Sequence, residues 1–398
     1  MRSKNYILIK QKFKIMIVAG EVSGDAHAAR LVKRLRESSP ETTFEFFGAT
    51  GEKLREENVE TIVNADNFSI VGLPEIARAL PMFWRAFQIL KRAAETRKPD
   101  AVILVDFPDF NLKLAKSLKK QNLKVIYYIS PQLWAWRKHR VKTIKQSVDL
   151  LLTILPFEKD WYAERGVSHV EYIGNPLAGE VKSRLTKEEF CALHDLNVNK
   201  PIIALLAGSR HKEIVWILPV LLKTVSLMTK KNAEIQFIIA IAATRSFAEV
   251  KTAIAKAKEN RLELPEVLIA VKDETFEVLN ASDAAAVTSG TATLETAIIG
   301  TPLAIVYKTS LLNYFALRPL ISVKNFGLVN LIARETVAEE FIQNRFNAEN
   351  LSAELFSLLE KEENQKIRKR LNEVSKTLGA GGTAKRAAAI ILEFLQRI

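Results

Sequence analysis

Short apolar runs alternate along this chain with longer stretches in which apolar residues recur every three or four positions. Strand-like runs fall near 14–19, 43–47, 101–105, 124–129, 150–153 and 170–172, then near 201–206, 235–240, 267–270, 284–287 and 302–306. Runs as continuous as Ile202-Ile203-Ala204-Leu205-Leu206 predict strands covered on both faces, and the amphipathic stretches between them predict helical crossovers. The fold class is therefore α/β, with doubly wound parallel sheets. A link near Gly174-Asn175-Pro176-Leu177 separates the two series of strands and predicts two Rossmann-like domains facing a cleft, 1–176 and 177–364. Gly379, Gly381 and Gly382 end one helix before another begins over 383–397.

The turns after these strands hold the candidate chemistry, because ligands of open α/β sheets bind beyond the strands' carboxyl ends. Gly20-Glu21-Val22-Ser23-Gly24-Asp25 follows the first strand, and Ala207-Gly208-Ser209-Arg210 follows the strand at 201–206. A small-residue turn opening a helix presents free N–H groups and a positive dipole end to an anion. Arg210 adds a planar cation suited to a diphosphate. Ser289-Gly290-Thr291, with Glu295 one helical turn further, repeats the phosphate-holding pattern; its Glu can reach a ribose diol, or simply sit in the first turn of an ordinary capped helix. The chain has no P-loop lysine and no G-x-G-x-x-G, which disfavours an NTPase or a dinucleotide dehydrogenase.

Asp106-Phe107-Pro108-Asp109-Phe110-Asn111 places two carboxylates after the strand 101–105. One can act as a general base while the other orients the loop; capping of the following helix is the plainer alternative. No third carboxylate or His lies nearby at metal-ligand spacing, so no metal is expected. Ser130-Pro131-Gln132-Leu133-Trp134-Ala135-Trp136-Arg137 follows the next strand. Its tryptophans either stack on sugar or base rings or pack the interior, and its cations can meet phosphate.

The formal net charge of +13 in 398 residues fits phosphorylated ligands or an anionic membrane surface. Nucleic acid is disfavoured by the lack of zinc-finger spacing, RNP-like aromatics or a dense basic tract. No apolar run approaches the ~20 residues of a membrane-spanning helix. Lys10, Lys12 and Lys14 interrupt the leading stretch that would otherwise resemble a secretion signal. The lone Cys191 allows no internal disulfide, which suits a reducing cytoplasm. Residues 68–92 mix large apolar side chains with Arg78, Arg85, Lys91 and Arg92, as a sheet-covering or a membrane-surface helix does.

Taken in order, Gly20–Asp25 (20–25), Ile70-Val71-Gly72-Leu73-Pro74-Glu75, Asp106 through Asn111, Ser130 through Arg137, Leu155-Pro156-Phe157-Glu158, Gly208-Ser209-Arg210 and 289–295 resemble the lipid-A-disaccharide synthase family over nearly the whole chain. The resemblance implies a GT-B fold whose C-terminal segment, 365–398, returns to the first domain or to a dimer partner. It implies an inverting, metal-independent transfer needing no cofactor: UDP-2,3-diacylglucosamine donates to 2,3-diacylglucosamine 1-phosphate, forming the β-1,6-linked disaccharide 1-phosphate and UDP. By position, Asp109 resembles the family's catalytic carboxylate and Arg210 its essential arginine. Gly208, Ser209, Ser289, Gly290, Thr291, Glu295 and Asn330 match the UDP-binding positions, and Glu21, Ser23, Asp25, Trp134, Trp136 and Arg137 fall to the acceptor side. The protein is then expected in the cytoplasm, peripherally bound to the inner membrane, with 68–92 facing the lipid. The rival readings are another GT-B transferase using UDP-N-acetylglucosamine, a UDP-N-acetylglucosamine 2-epimerase, and a non-catalytic nucleotide-binding protein.

Overall fold

A computed structural model of the protein describes residues 12–68, 73–310, 314 and 325–398. Ile70, Val71 and Gly72 of the resemblance motif, and the residues before Lys12, lie outside the described residues. The chain divides into two compact units, Met1–Pro176 with Gly382–Ile398, and Leu177–Gly381.

The first unit holds strands β1 (Lys12–Ala19), β2 (Thr43–Thr50), β3 (Glu60–Asn64), β4 (Ala101–Val105), β5 (Val125–Tyr128), β6 (Leu150–Thr153) and β7 (Val170–Tyr172). All pair in parallel, in the order β3-β2-β1-β4-β5-β6-β7. Alternation along β1 explains its unbroken apolar run. Phe13, Ile15, Ile17 and Ala19 enter the core on one face, whereas Met16 and Val18 enter the core on the other. Helix Leu73–Arg97 contributes Ala86, Leu90 and Ala94 to the second of these cores. Its outer face leaves Leu80, Trp84 and Ile89 exposed beside Arg85 and Arg92.

Helix Thr383–Leu395 covers the opposite face of the sheet. It packs on helix Val22–Ser38 of the same chain and buries Ala387, Ala388, Ile391 and Leu395 in the core there. Arg386 Nε donates to the Ile173 carbonyl at 2.7 Å. The returning segment is shorter than the 365–398 read from the sequence. Helix Lys361–Thr377 stays with the second unit, where Leu371 and Val374 are buried and Arg368 donates to the Gly300 carbonyl at 2.8 Å.

The second unit repeats the plan with β8 (Ile202–Leu206), β9 (Gln236–Ile241), β10 (Leu268–Lys272), β11 (Ala284–Thr288), β12 (Leu303–Tyr307) and β13 (Glu340–Ile342). Their parallel order is β10-β9-β8-β11-β12-β13. In each sheet the winding reverses beside the unit's first strand, between β1 and β4 and between β8 and β11. Such switch points open a crevice at the strands' carboxyl ends. Among the described residues, no helix is long and apolar enough to cross a membrane.

Candidate active site

At the β8/β11 switch point a cavity of about 780 Å³ is lined by Gly208, Ser209, Arg210, Ser289, Gly290, Thr291 and Glu295. The six nucleotide-side residues other than Asn330 are thus gathered with Arg210 in one place. Gly208 turns the chain at φ +111°, and a Cβ there would lie 2.4 Å from a Glu213 carboxylate oxygen. Glu213 fills that space because it caps helix His211–Lys231. One of its oxygens accepts the N–H groups of Ser209 at 2.9 Å and Arg210 at 3.1 Å, and the other accepts Arg210 Nη1 at 3.0 Å. The Arg210 side chain is nevertheless 72% exposed, so its guanidinium is available to a ligand in the cavity.

Ser289 Oγ donates to the Phe326 carbonyl at 3.0 Å, which ties this turn to the loop before helix Leu328–Ala333. Burial raises the carboxyl of Glu295 above its ordinary range, which eases its hydrogen bonding to hydroxyl groups. The cavity also gains Lys182 and Arg184, which the sequence reading missed because they follow the linker and belong to no periodic element. Arg184 is oriented by Glu277: its Nε donates to Oε1 at 2.6 Å and its backbone N–H to the same oxygen at 3.2 Å. Burial raises the Glu277 carboxyl, but the Arg184 contacts outweigh it and hold it below the usual range.

Asn330 does not belong to this cavity. It is fully buried, and its amide is spent on the backbone: Oδ1 accepts Val337 N–H at 2.8 Å and Ala338 N–H at 2.9 Å, while Nδ2 donates to the Ala338 carbonyl at 2.7 Å and to Glu340 Oε1 at 2.9 Å. The expectation of a uridine diphosphate contact is corrected accordingly. Asn330→Ala removes the partner of the Val337 and Ala338 backbone groups and is expected to lower stability by about 2–4 kcal/mol. Urea unfolding measures the loss, and UDP affinity of the folded variant should match wild type.

At the β1/β4 switch point the backbone is strained. Asp106 and Phe107 both take left-handed conformations, at φ 46° and 48°. Such residues cost roughly 1–3 kcal/mol each and persist only when their surroundings fix them. Asn111 Nδ2 donates to the carbonyls of Val105 at 3.1 Å and Asp106 at 2.8 Å, and Tyr127 Oη donates to the Asp106 carbonyl at 2.7 Å. The Phe107 ring lies against Gly20, where a Cβ would come within 2.2 Å of it. This contact explains the glycine after β1.

The two aspartates differ in environment. Burial, then the charge of Glu21, push the Asp106 carboxyl up to about 6, with the Phe107 N–H opposing them. At Asp109 burial also raises the carboxyl, but Arg140 and Arg137 outweigh it and the net shift is downward. Asp109 is 61% exposed, and one of its oxygens accepts from Arg137 Nη1 and Arg140 Nη2, each at 2.5 Å. A carboxylate held by two guanidiniums is a weak base; a largely desolvated one near 6 is a competent one. Of the two carboxylates, Asp106 is therefore the stronger base.

Among the remaining residues expected on the acceptor side, Glu21 and Ser23 are exposed at the start of helix Val22–Ser38. Asp25 is structural instead. Its two oxygens accept the N–H groups of Gly51 and Lys53, both at 2.7 Å, capping helix Glu52–Glu56. Trp134 is likewise buried, with its indole Nε1 donating to Glu158 at 2.9 Å and its ring edge-on to Phe157. It cannot stack on a ligand. Trp136 remains partly exposed under the Arg137 guanidinium, 4.2 Å from its ring centre. Glu158 went unassigned in the sequence; burial pushes it up to about 7 despite the Trp134 indole and the Leu155 and Ile154 N–H groups. Among the described residues, no group of three or more His, Cys, Asp or Glu side chains could hold a metal ion.

An α/β chain built from two such sheets, each with a switch point beside its unit's first strand, has the GT-B architecture of nucleotide-sugar glycosyltransferases. The Lipid-A-disaccharide synthetase family matches residues 15–394, and the chain belongs to that family: it is a glycosyltransferase. The lipid-A-disaccharide synthase of Syntrophus aciditrophicus is 40% identical over 384 residues, covering 96% of this chain and 98% of the relative. Lipid-A-disaccharide synthase 1 of Legionella pneumophila strain Philadelphia 1 is 41% identical over 340 residues, covering 85% and 86%. Among solved structures, the UDP-GlcNAc 2-epimerase of Neisseria meningitidis bound to UDP-GlcNAc superimposes with a TM-score of 0.60 at 14% identity, covering 97% of this chain and 100% of that one. A glycosyltransferase from Rickettsia africae gives 0.56 at 14% identity, covering 97% and 98%. Identities this low establish the shared fold alone.

Proposed function

We propose that the protein joins an acylated UDP-glucosamine donor to an acylated glucosamine 1-phosphate acceptor. In the reaction the acceptor's 6-hydroxyl loses its proton to a carboxylate, and its oxygen attacks the donor's anomeric carbon from the face opposite the diphosphate. The bond from that carbon to the diphosphate oxygen breaks, its electron pair leaves with UDP, and the new linkage is β-1,6. The single observation supporting this reading most strongly is Asp106: a carboxyl raised to about 6 at the carboxyl end of β4, on a backbone whose strain is fixed by Asn111, Tyr127 and the Phe107–Gly20 contact. The exposed Arg210 guanidinium is the matching donor for the departing diphosphate, and its fixed charge takes the place of a metal or other cofactor in this scheme.

The lipid character of both substrates is supported by the outer face of helix Leu73–Arg97. Leu80, Trp84 and Ile89 beside Arg85 and Arg92 suit a protein held against an anionic bilayer surface, at about 1 kcal/mol per basic side chain near the lipid. The deciding experiment incubates the purified full chain with the two acylated glucosamine substrates and identifies lipid products by mass spectrometry. A phosphorylated disaccharide and stoichiometric UDP are expected. Conversion of UDP-N-acetylglucosamine to its 2-epimer with no acceptor present would overturn the reading.

A further inference from the structure

Arg137 and Arg140 form a second cationic pair, apart from the residues that line the cavity at the β8/β11 switch point. Both guanidiniums converge on the same oxygen of Asp109, and each spends one N–H group on it. A guanidinium has five N–H donors, so most of the hydrogen-bonding capacity of the pair is uncommitted to Asp109. Two positive charges against one negative leave a surplus of one. Both side chains are partly buried, at 35% and 21% exposure, which limits their freedom before any ligand arrives.

The loop beneath them is built firmly. Trp134 anchors it through Glu158, Tyr162 Oη donates to the Pro131 carbonyl at 3.0 Å, and Arg137 lies over the Trp136 ring. Arg137 itself sits at φ 55°, a conformation a non-glycine residue keeps only when packing enforces it. The Arg140 N–H closes the turn on the Arg137 carbonyl at 2.9 Å. Asp109 belongs to the same strand-to-helix turn as Asp106, three residues further on, in the first turn of helix Pro108–Lys119.

We propose that Arg137 and Arg140, aligned by Asp109 as a positioning residue, are the seat for the phosphate monoester of the acceptor sugar. A phosphate monoester brings roughly −1.5 to −2 charges near neutral pH and three acceptor oxygens, matching the surplus charge and the paired planar donors. This proposal rests on the glycosyl-transfer reading and assigns the role of Asp109: it holds the arginines while Asp106 takes the proton.

The test compares Arg137→Gln, Arg140→Gln and Asp109→Asn with wild type, using the acylated glucosamine acceptor with and without its 1-phosphate. Each arginine variant should raise the KM for the phosphorylated acceptor about 10- to 100-fold, with donor KM and UDP affinity unchanged. Against the acceptor lacking phosphate, wild type should already be poor and the variants no poorer. Equal losses on both acceptors, or a fall in UDP affinity, would overturn the seat. A second measurement does not depend on turnover: the ³¹P resonance of glucosamine 1-phosphate should broaden with wild type and stay sharp with the folded double variant Arg137→Gln/Arg140→Gln. If wild type forms no disaccharide, the transfer reading fails by itself, and the resonance still decides the phosphate seat. Broadening that survives in the double variant sinks it.

Discussion

Asp106→Asn is expected to reduce turnover by about 10²- to 10⁴-fold, the range general-base catalysis contributes, while UDP binding stays at its wild-type level. The amide keeps the size of the side chain and removes its ability to accept a proton. With the free carboxyl near 6, wild-type kcat/KM should climb as pH rises through about 6 and level off above it, because only the ionised form works as a base. That limb should vanish from the residual activity of Asp106→Asn. Asp109→Asn should change kcat little, since its carboxylate is committed to Arg137 and Arg140. Steady-state kinetics across pH 5–8 on both variants decides the assignment (a window of about one unit below and two above the titration). Loss of turnover in Asp109→Asn with near-normal Asp106→Asn would return the base to Asp109.

Arg210→Ala should cost about 10²-fold in kcat/KM for the donor, with weaker UDP binding. The guanidinium is asked to meet charge that grows on the diphosphate as the glycosidic bond breaks, and a preorganised cation there favours the transition state over the ground state. Its side chain is 72% exposed and its partner Glu213 also caps the helix through the Ser209 and Arg210 N–H groups, so the fold does not depend on it. The melting temperature should therefore match wild type. Titration calorimetry with UDP and initial-rate kinetics separate the two effects; unaltered donor use in this variant would remove Arg210 from the diphosphate site.

Much of the architecture was legible because both faces of β1, β4 and β8 are covered, which writes an unbroken apolar run into the sequence. The edge strands β3 and β13 were not. Glu60-Thr61-Ile62-Val63-Asn64 is mostly polar and half-exposed, and Glu340–Ile342 is only three residues long. The candidate positions that line the β8/β11 cavity were legible for a related reason: they directly follow two of the apolar strands. Their roles were another matter. Whether a buried polar side chain serves a ligand or the backbone depends on partners distant in sequence, such as Gly51 for Asp25 and Glu158 for Trp134. Asp106 and Asp109 look alike in the chain, and the difference between them lies in arginines 28 and 31 residues beyond Asp109.

Helix Thr383–Leu395 also bears on how the protein is made. Ribosomes deliver the chain from its amino end, so the lobe containing Asp106 is nearly finished early yet must wait for the last residues to seal it. Until then the outward side of helix Val22–Ser38 stays greasy and uncovered, an invitation to self-association in a crowded cell. The middle of the chain, needing nothing from either end, is free to mature first. A nascent chain stalled or clipped before Thr383 would hold the β8/β11 cavity intact and leave one face of the β1 sheet uncovered.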